Sequence, residues 1–237
     1  MNELIHSIYN EDVDELDQLL DLYPDLVNQY IDKDGNTPLT LVCSMKGDVG
    51  IIVVLLAHHA NVNIPQRITG NSPLMLLFMS NYVCVDCIKL LLNHGADPNI
   101  QNKDGLTSLF YTIKNYDYNM TKLLLDNEAD PNIVDNDGRN CLMYYRGNNI
   151  NIIELLIKGG INVFHKDSKD HDILHFIVDP VIRDYLKNYQ KTIIIMCASN
   201  RSTIKSRNMT NTSGRPFLTH DLMGMFMKTY YPHRSHS

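Results

Sequence analysis

The chain has 237 residues, 44% hydrophobic and 20% charged, with 21 basic residues against 27 acidic ones. That composition is ordinary for a folded soluble chain and allows one large or two small domains. Residues 187–237 hold eight basic residues and one acidic, while residues 1–186 hold thirteen basic against twenty-six acidic, so the acidic part excludes binding to nucleic acid by phosphate neutralisation.

The N-terminus, Met1-Asn2-Glu3, lacks the basic start and apolar run of a secretory signal, and the apolar stretches are too short to span a membrane. A cytoplasmic, monomeric chain that binds neither membrane nor nucleic acid is expected. The five cysteines, at 43, 84, 87, 141 and 197, are odd in number and scattered, which suits reduced thiols used as small core residues.

Residues 4–8 and 13–22 read as a helix pair whose segment 11–18 is mostly acidic or polar, as the exposed end of a stack requires. Then a motif recurs. Asp34-Gly35-Asn36-Thr37-Pro38-Leu39 is followed by Gly70-Asn71-Ser72-Pro73-Leu74, by Asp104-Gly105-Leu106-Thr107-Ser108-Leu109, and by Asp137-Gly138-Arg139-Asn140-Cys141-Leu142. The aligned leucines lie 35, 35 and 33 residues apart, and a weaker fifth copy places Leu174 another 32 residues on. Such a period marks stacked helix pairs.

Residues 70–104 show one cycle. Gly70 permits a turn with positive φ, Ser72 caps a short helix beginning at Pro73, and a second helix runs from about 83 to 93 with Val83, Cys87, Ile88, Leu91 and Leu92 on one stripe. Gly95 stops it and Ala96-Asp97-Pro98-Asn99-Ile100 leads out. In other copies His59 and Glu128 stand where glycine is expected, at a cost of roughly 1 kcal/mol each if forced into the left-handed region.

These residues resemble the ankyrin repeat, with Gly-x-Thr-Pro-Leu opening and Leu-Leu-x-x-Gly-Ala-Asp-x-Asn closing each unit. The resemblance implies an all-α solenoid of about five repeats plus a cap. The cap is placed at 1–31, the repeats at 32–66, 67–101, 102–134, 135–166 and 167–190, and a basic tail at 191–237. It also implies a non-enzymatic module that binds protein through a concave face of loops and first helices. On this chain that face comprises Asp32, Lys33, Asn36, Met45, Lys46, Gln66, Arg67, Asn71, Ser80 and Asn81. It continues through Asn102, Lys103, Leu106, Lys114, Asn115, Tyr116, Asn136 and Arg139.

In the tail, 199–215 reads as a linker and 217–228 as a short amphipathic segment. Leu218, Asp221, Leu222, Phe226 and Met227 resemble the F-box-like ending of poxvirus ankyrin proteins, which docks on the Skp adaptor of cullin-RING ubiquitin ligases, although the proline of that motif is missing. Loose repeats rich in Asn, Ile, Asp and Tyr, without Trp, are similar to those of poxvirus ankyrin proteins, which implies a host protein as partner. A bacterial effector or another virus would share that composition. A substrate adaptor for the ligase, or a remnant of a larger ankyrin protein, are the alternative functions.

His171 and His175 have the spacing of two metal ligands, but no third ligand accompanies them, and Cys84-Val85-Asp86-Cys87 lacks the second pair of a zinc site. No cofactor or catalytic residue is expected. Asn99 and Asn132 each follow a leucine by eight residues and an aspartate by two, which is similar to sites of asparaginyl hydroxylation in ankyrin repeats; the same asparagines would equally bond the turn backbone.

Overall fold

In the computed structural model, residues 2–80 and 83–199 are described. Asn81 and the segment with Leu218, Asp221, Leu222, Phe226 and Met227 lie outside them. The chain divides into two compact units, Met1–Ile177 and Val178–Ser237.

The first unit is a stack of helix pairs: α1 (Asn2–Tyr9) with α2 (Val13–Leu22), α3 (Pro38–Met45) with α4 (Val49–Ala57), and α5 (Pro73–Met79) with α6 (Val85–Asn93). Next come α7 (Ser108–Lys114) with α8 (Tyr118–Asp126), then a 3-10 turn Cys141–Tyr144 with α9 (Ile150–Lys158), and last the single turn α10 (Ile173–Phe176). The capping chemistry of each pair is written locally. The Thr37 hydroxyl accepts from the Thr40 N–H, and Thr40 returns the bond to the Thr37 N–H, a reciprocal box with Pro38 at the first helical position. Asp12, Asp48, Asp117 and Asn149 cap the second helices with a single side-chain bond each, accepting the N–H of Glu15, Ile51, Met120 and Asn151. The second helix of the 70–104 cycle begins at Val85 rather than 83, because Cys84 occupies its N-cap.

Two layers result. The first helices stack in order, α3 on α5 on α7 on the 141–144 turn, which meets α10; the second helices form the other layer, α2 on α4 on α6, and α8 on α9. A first helix is enclosed on nearly all sides, so Pro73, Leu74, Met75, Leu76, Leu77 and Phe78 of α5 are all buried. A second helix buries one stripe only, Ile152, Ile153, Leu156 and Ile157 in α9.

Backbone bonds tie the turn tips of successive repeats together. The N–H of Arg67 donates to the Gly35 carbonyl at 2.8 Å, Lys103 to Thr69 at 3.0 Å, Asn136 to Asp104 at 3.1 Å and Ser168 to Asp137 at 3.0 Å. This crowding explains Gly105: a β-carbon there would lie 2.8 Å from the backbone of both Asp135 and Asn136. His59 and Glu128 do adopt the left-handed conformation, at φ 63° and 65°.

In the second unit, α11 runs unbroken through Pro180–Ser199. The sequence reading divides the chain at 190; the helix passes through that point because 180–199 contains no glycine and no proline after its first residue. No described helix is long and apolar enough to cross a membrane.

Candidate interaction surface

The tips and first helices present one face of the first unit, and its accessible residues concentrate at the helix C-terminal ends. Ser44 and Lys46 beyond the core of α3, Met79 at the end of α5, and Lys114, Asn115 and Tyr116 at the end of α7 are exposed. Met45, Gln66 and Ser80 are half-buried, as is Asp32, whereas Lys33, Arg67, Lys103 and Asn136 project from the tips.

Four of the expected contact residues point inward instead. Asn36, Asn71, Asn102 and Leu106 are buried. The Asn36 side chain donates to the Asp32 carboxylate at 2.8 Å and accepts from Gln66 Nε2 at 2.9 Å. Asn102 donates to the Asn71 side-chain oxygen at 2.8 Å and accepts from the Asp104 and Leu106 N–H groups. Buried amides need internal partners, and these shape the tips and join neighbours. Asn115 and Asn136 also reach the preceding repeat, donating to the Phe78 carbonyl at 3.4 Å and the Lys103 carbonyl at 2.8 Å, from positions that remain exposed.

A second amide ladder follows the second helices. Asn28 donates to the His59 carbonyl and accepts from the Asn61 N–H; Asn63 does the same with Gly95 and Asp97. Asn99 repeats it with Glu128 and Asp130, and Asn132 with Gly160 and Asn162. The structure therefore gives Asn99 and Asn132 the turn-bonding role. Asn28, in the cap, is a rung the sequence reading missed; its signal is its position 35 residues before Asn63.

Toward the C-terminal end of the face, cations lie over aromatic rings. Lys114 Nζ sits 4.6 Å from the centre of the Tyr144 ring, and the guanidinium carbons of Arg139 and Arg146 sit 5.3 Å and 6.0 Å from that of Phe176. Arg139 pairs with Asp137 at 3.1 Å and approaches buried Asp167 at 3.7 Å. Burial works against ionisation of Asp167, but the N–H and ring of His171 and the Lys169 N–H bond its carboxylate and hold its pKa at about 2. Desolvation, then the hydrogen bond to Asp135, pushes the Tyr144 phenol up to about 12. His171 and His175 stack at 4.1 Å with rings 12° apart, and no metal-ligating group of three His, Cys, Asp or Glu occurs among the described residues.

The cysteines divide. Cys43 and Cys141 are free and buried, and desolvation pushes both thiols well above the ordinary range. Cys84 and Cys87 are joined in a disulfide, contrary to the expectation of reduced core thiols. The N-cap and third residue of one helical turn face each other, with α-carbons 5.3 Å apart.

Comparison with known proteins agrees with this architecture. The family description "Ankyrin repeats (3 copies)" matches residues 4–102 and 79–167. The chain is 30% identical over 182 residues, 75% of its length, to the putative ankyrin repeat protein L371 of Acanthamoeba polyphaga mimivirus, of which it spans 23%. It is 36% identical over 91 residues, 36% of its length, to the putative ankyrin repeat protein FPV232 of fowlpox virus, spanning 18% of that protein. It is 34% identical over 113 residues, 46% of its length, to the putative ankyrin repeat protein YahD of Escherichia coli, spanning 54% of it. The crystal structure of EF0377, an ankyrin repeat protein, superposes with a TM-score of 0.62 at 22% identity, covering 73% of this chain and 89% of that one. The chain belongs to the ankyrin-repeat family.

Proposed function

We propose that this chain is a non-enzymatic binding protein that holds a host protein on the face built from its turn tips and first-helix ends. Ankyrin repeats indicate a protein–protein interaction module. The observation that carries the placement is the division of labour among side chains. Lys33, Arg67 and Lys103 are exposed on tips that buried amides fix from beneath, and Lys114 and Tyr116 are exposed at the end of α7. The relatives in mimivirus and fowlpox virus support a viral setting.

The test is affinity purification of the full chain from transfected cells with partners identified by mass spectrometry, beside a variant carrying Arg67→Glu, Lys103→Glu and Tyr116→Ala. The variant is expected to release a partner that an outer-helix control, Lys89→Glu, retains. A partner lost from the control and kept by the variant overturns the reading.

An adaptor role, with residues 217–228 recruiting a cullin-RING ligase, is the second reading. It rests on the Leu218 to Met227 pattern and on 38% identity over 84 residues to a rice protein named as a probable E3 ubiquitin-protein ligase, XBOS34. Deleting residues 210–237 should remove cullin-complex subunits from the purified sample; subunits that persist, or that never appear with the full chain, reject it.

A further inference from the structure

We infer that the part of this face around Lys114, Tyr144, Arg146 and Phe176 receives an acidic segment of the protein partner, rich in Asp and Glu. The inference rests on the binding-face reading above and adds the chemistry of the ligand.

Charge is segregated between the two helix layers. The first helices after α1 and their C-terminal ends, residues 38–46, 73–80, 108–116, 141–146 and 173–176, contain Lys46, Lys114 and Arg146 and not one carboxylate. By contrast α1 carries Glu3, and the turn tips mix both signs, Asp34 and Asp104 beside Lys33 and Lys103. The second helices with their caps and following loops, residues 12–22, 48–57, 85–97, 117–130 and 149–158, contain thirteen carboxylates against three lysines. Screening over about 8 Å keeps the two layers electrostatically distinct. A carboxylate-rich segment is repelled from the second helices and admitted along the first-helix ends, so charge favours that part of the face.

Within the inner layer the cations differ. Lys46 is neutralised by Glu11 at 2.8 Å, and Arg139 by Asp137 and Asp167. Among the described residues Lys114 and Arg146 have no carboxylate within 4.0 Å. Their positions suit the negative ends of α7, whose last residue is Lys114, and of the 141–144 turn, which Arg146 follows. That preference does not account for the rings beneath them. Lys114 lies over Tyr144, and Arg146 over Phe176 with Nη1 anchored by the Met143 and Tyr145 carbonyls at 2.8 and 2.9 Å. A ring face and backbone acceptors restrict the two head groups without cancelling their charge, which lowers the entropy lost when a carboxylate binds. The two residues belong to neighbouring repeats, so an extended segment crossing the stack meets both.

The probe is a fluorescent oligoglutamate peptide, titrated with the full chain and followed by anisotropy. Lys114→Glu with Arg146→Glu should weaken binding about tenfold, and the milder Lys114→Gln with Arg146→Gln should weaken it less. Lys89→Glu with Lys158→Glu, on the outer helices, should not weaken it. Lys205→Glu with Arg207→Glu, in the basic tail, should leave the Lys114/Arg146 effect intact. Unchanged affinity in the Lys114/Arg146 variants, or a loss confined to the tail variant, overturns the inference. A partner captured from cells that survives Lys114→Glu with Arg146→Glu but is released by the tip variant leaves the binding face standing and removes only its acidic ligand.

Discussion

The side-chain amide of Asn99 donates to the carbonyl of Glu128 across 2.9 Å, joining one repeat to the left-handed residue that ends the second helix of the next. The Asn99 oxygen simultaneously accepts the Asp130 N–H at 2.7 Å. One amide thus satisfies a donor and an acceptor at a helix exit whose groups have no helical partner.

Asn99→Ala should therefore destabilise the chain by about 1 to 2 kcal/mol, the worth of two hydrogen bonds that solvent partly replaces. Urea unfolding followed by circular dichroism measures it. Hydroxylation at Asn99 or Asn132 would have to act on an amide held in this bridge, so coexpression with an asparaginyl hydroxylase should leave the intact mass unchanged. A gain of one oxygen atom would show that the ladder opens enough to be modified.

The left-handed positions give a graded series. Gly95 has φ 83° and open space where a methyl would project, so Gly95→Ala should cost only the conformational penalty, about 1 kcal/mol. Gly105, at φ 80°, would also press a methyl into the next tip's backbone, and Gly105→Ala should cost about 2 to 4 kcal/mol. Glu128→Gly runs the other way and should gain about 0.5 kcal/mol, strain relief outweighing the added chain entropy. Equal effects of the two alanine substitutions would contradict the tight tip-to-tip approach.

Much of the stack is legible in the sequence because its signals are local. Thr37-Pro38 and Ser72-Pro73 announce helix starts, and the left-handed strain at His59 and Glu128 follows from the glycine that neighbouring copies keep. The contact face is less legible. Asn36, Asn71 and Asn102 look like exposed tip residues, yet each is buried by a bond to a residue about thirty positions away. Lys46 loses its free charge to Glu11, which lies in the cap, and Lys114 and Arg146 sit over rings supplied by the next repeat, so neither difference is visible in the local sequence. The extent of α11 is obscured because composition changes near 190 while the backbone has no reason to break there.

Ser108 marks a weak helix start. It occupies the slot of Pro38 and Pro73, its buried hydroxyl has no hydrogen-bond partner, and Thr107 before it makes no side-chain cap. Thr107 already has φ −102° and ψ 174°, the extended backbone that a following proline requires. Ser108→Pro should raise stability by about 1 kcal/mol, removing an unpaired buried oxygen and restricting the unfolded chain. A higher urea midpoint at unchanged slope is the expected result; a lower midpoint would mean that the first turn of α7 uses the Ser108 N–H.

Asp167 makes the last repeat sensitive to acid. Its carboxylate accepts the N–H groups of Lys169 and His171 at 2.9 and 2.8 Å and the His171 ring at 3.2 Å, and lies 3.7 Å from Arg139. The folded pKa, about 2, is below the roughly 3.9 of an unfolded aspartate, so the unfolded state binds the proton first as pH falls. The stabilisation is complete above the unfolded value and disappears between about pH 4 and pH 2. Asp167→Asn should lower the urea midpoint at pH 6, where wild-type carboxylate is fully ionised, and the gap should close as pH falls through that window. A gap that stays constant down to pH 2 would assign the role of Asp167 to packing and leave its charge without effect.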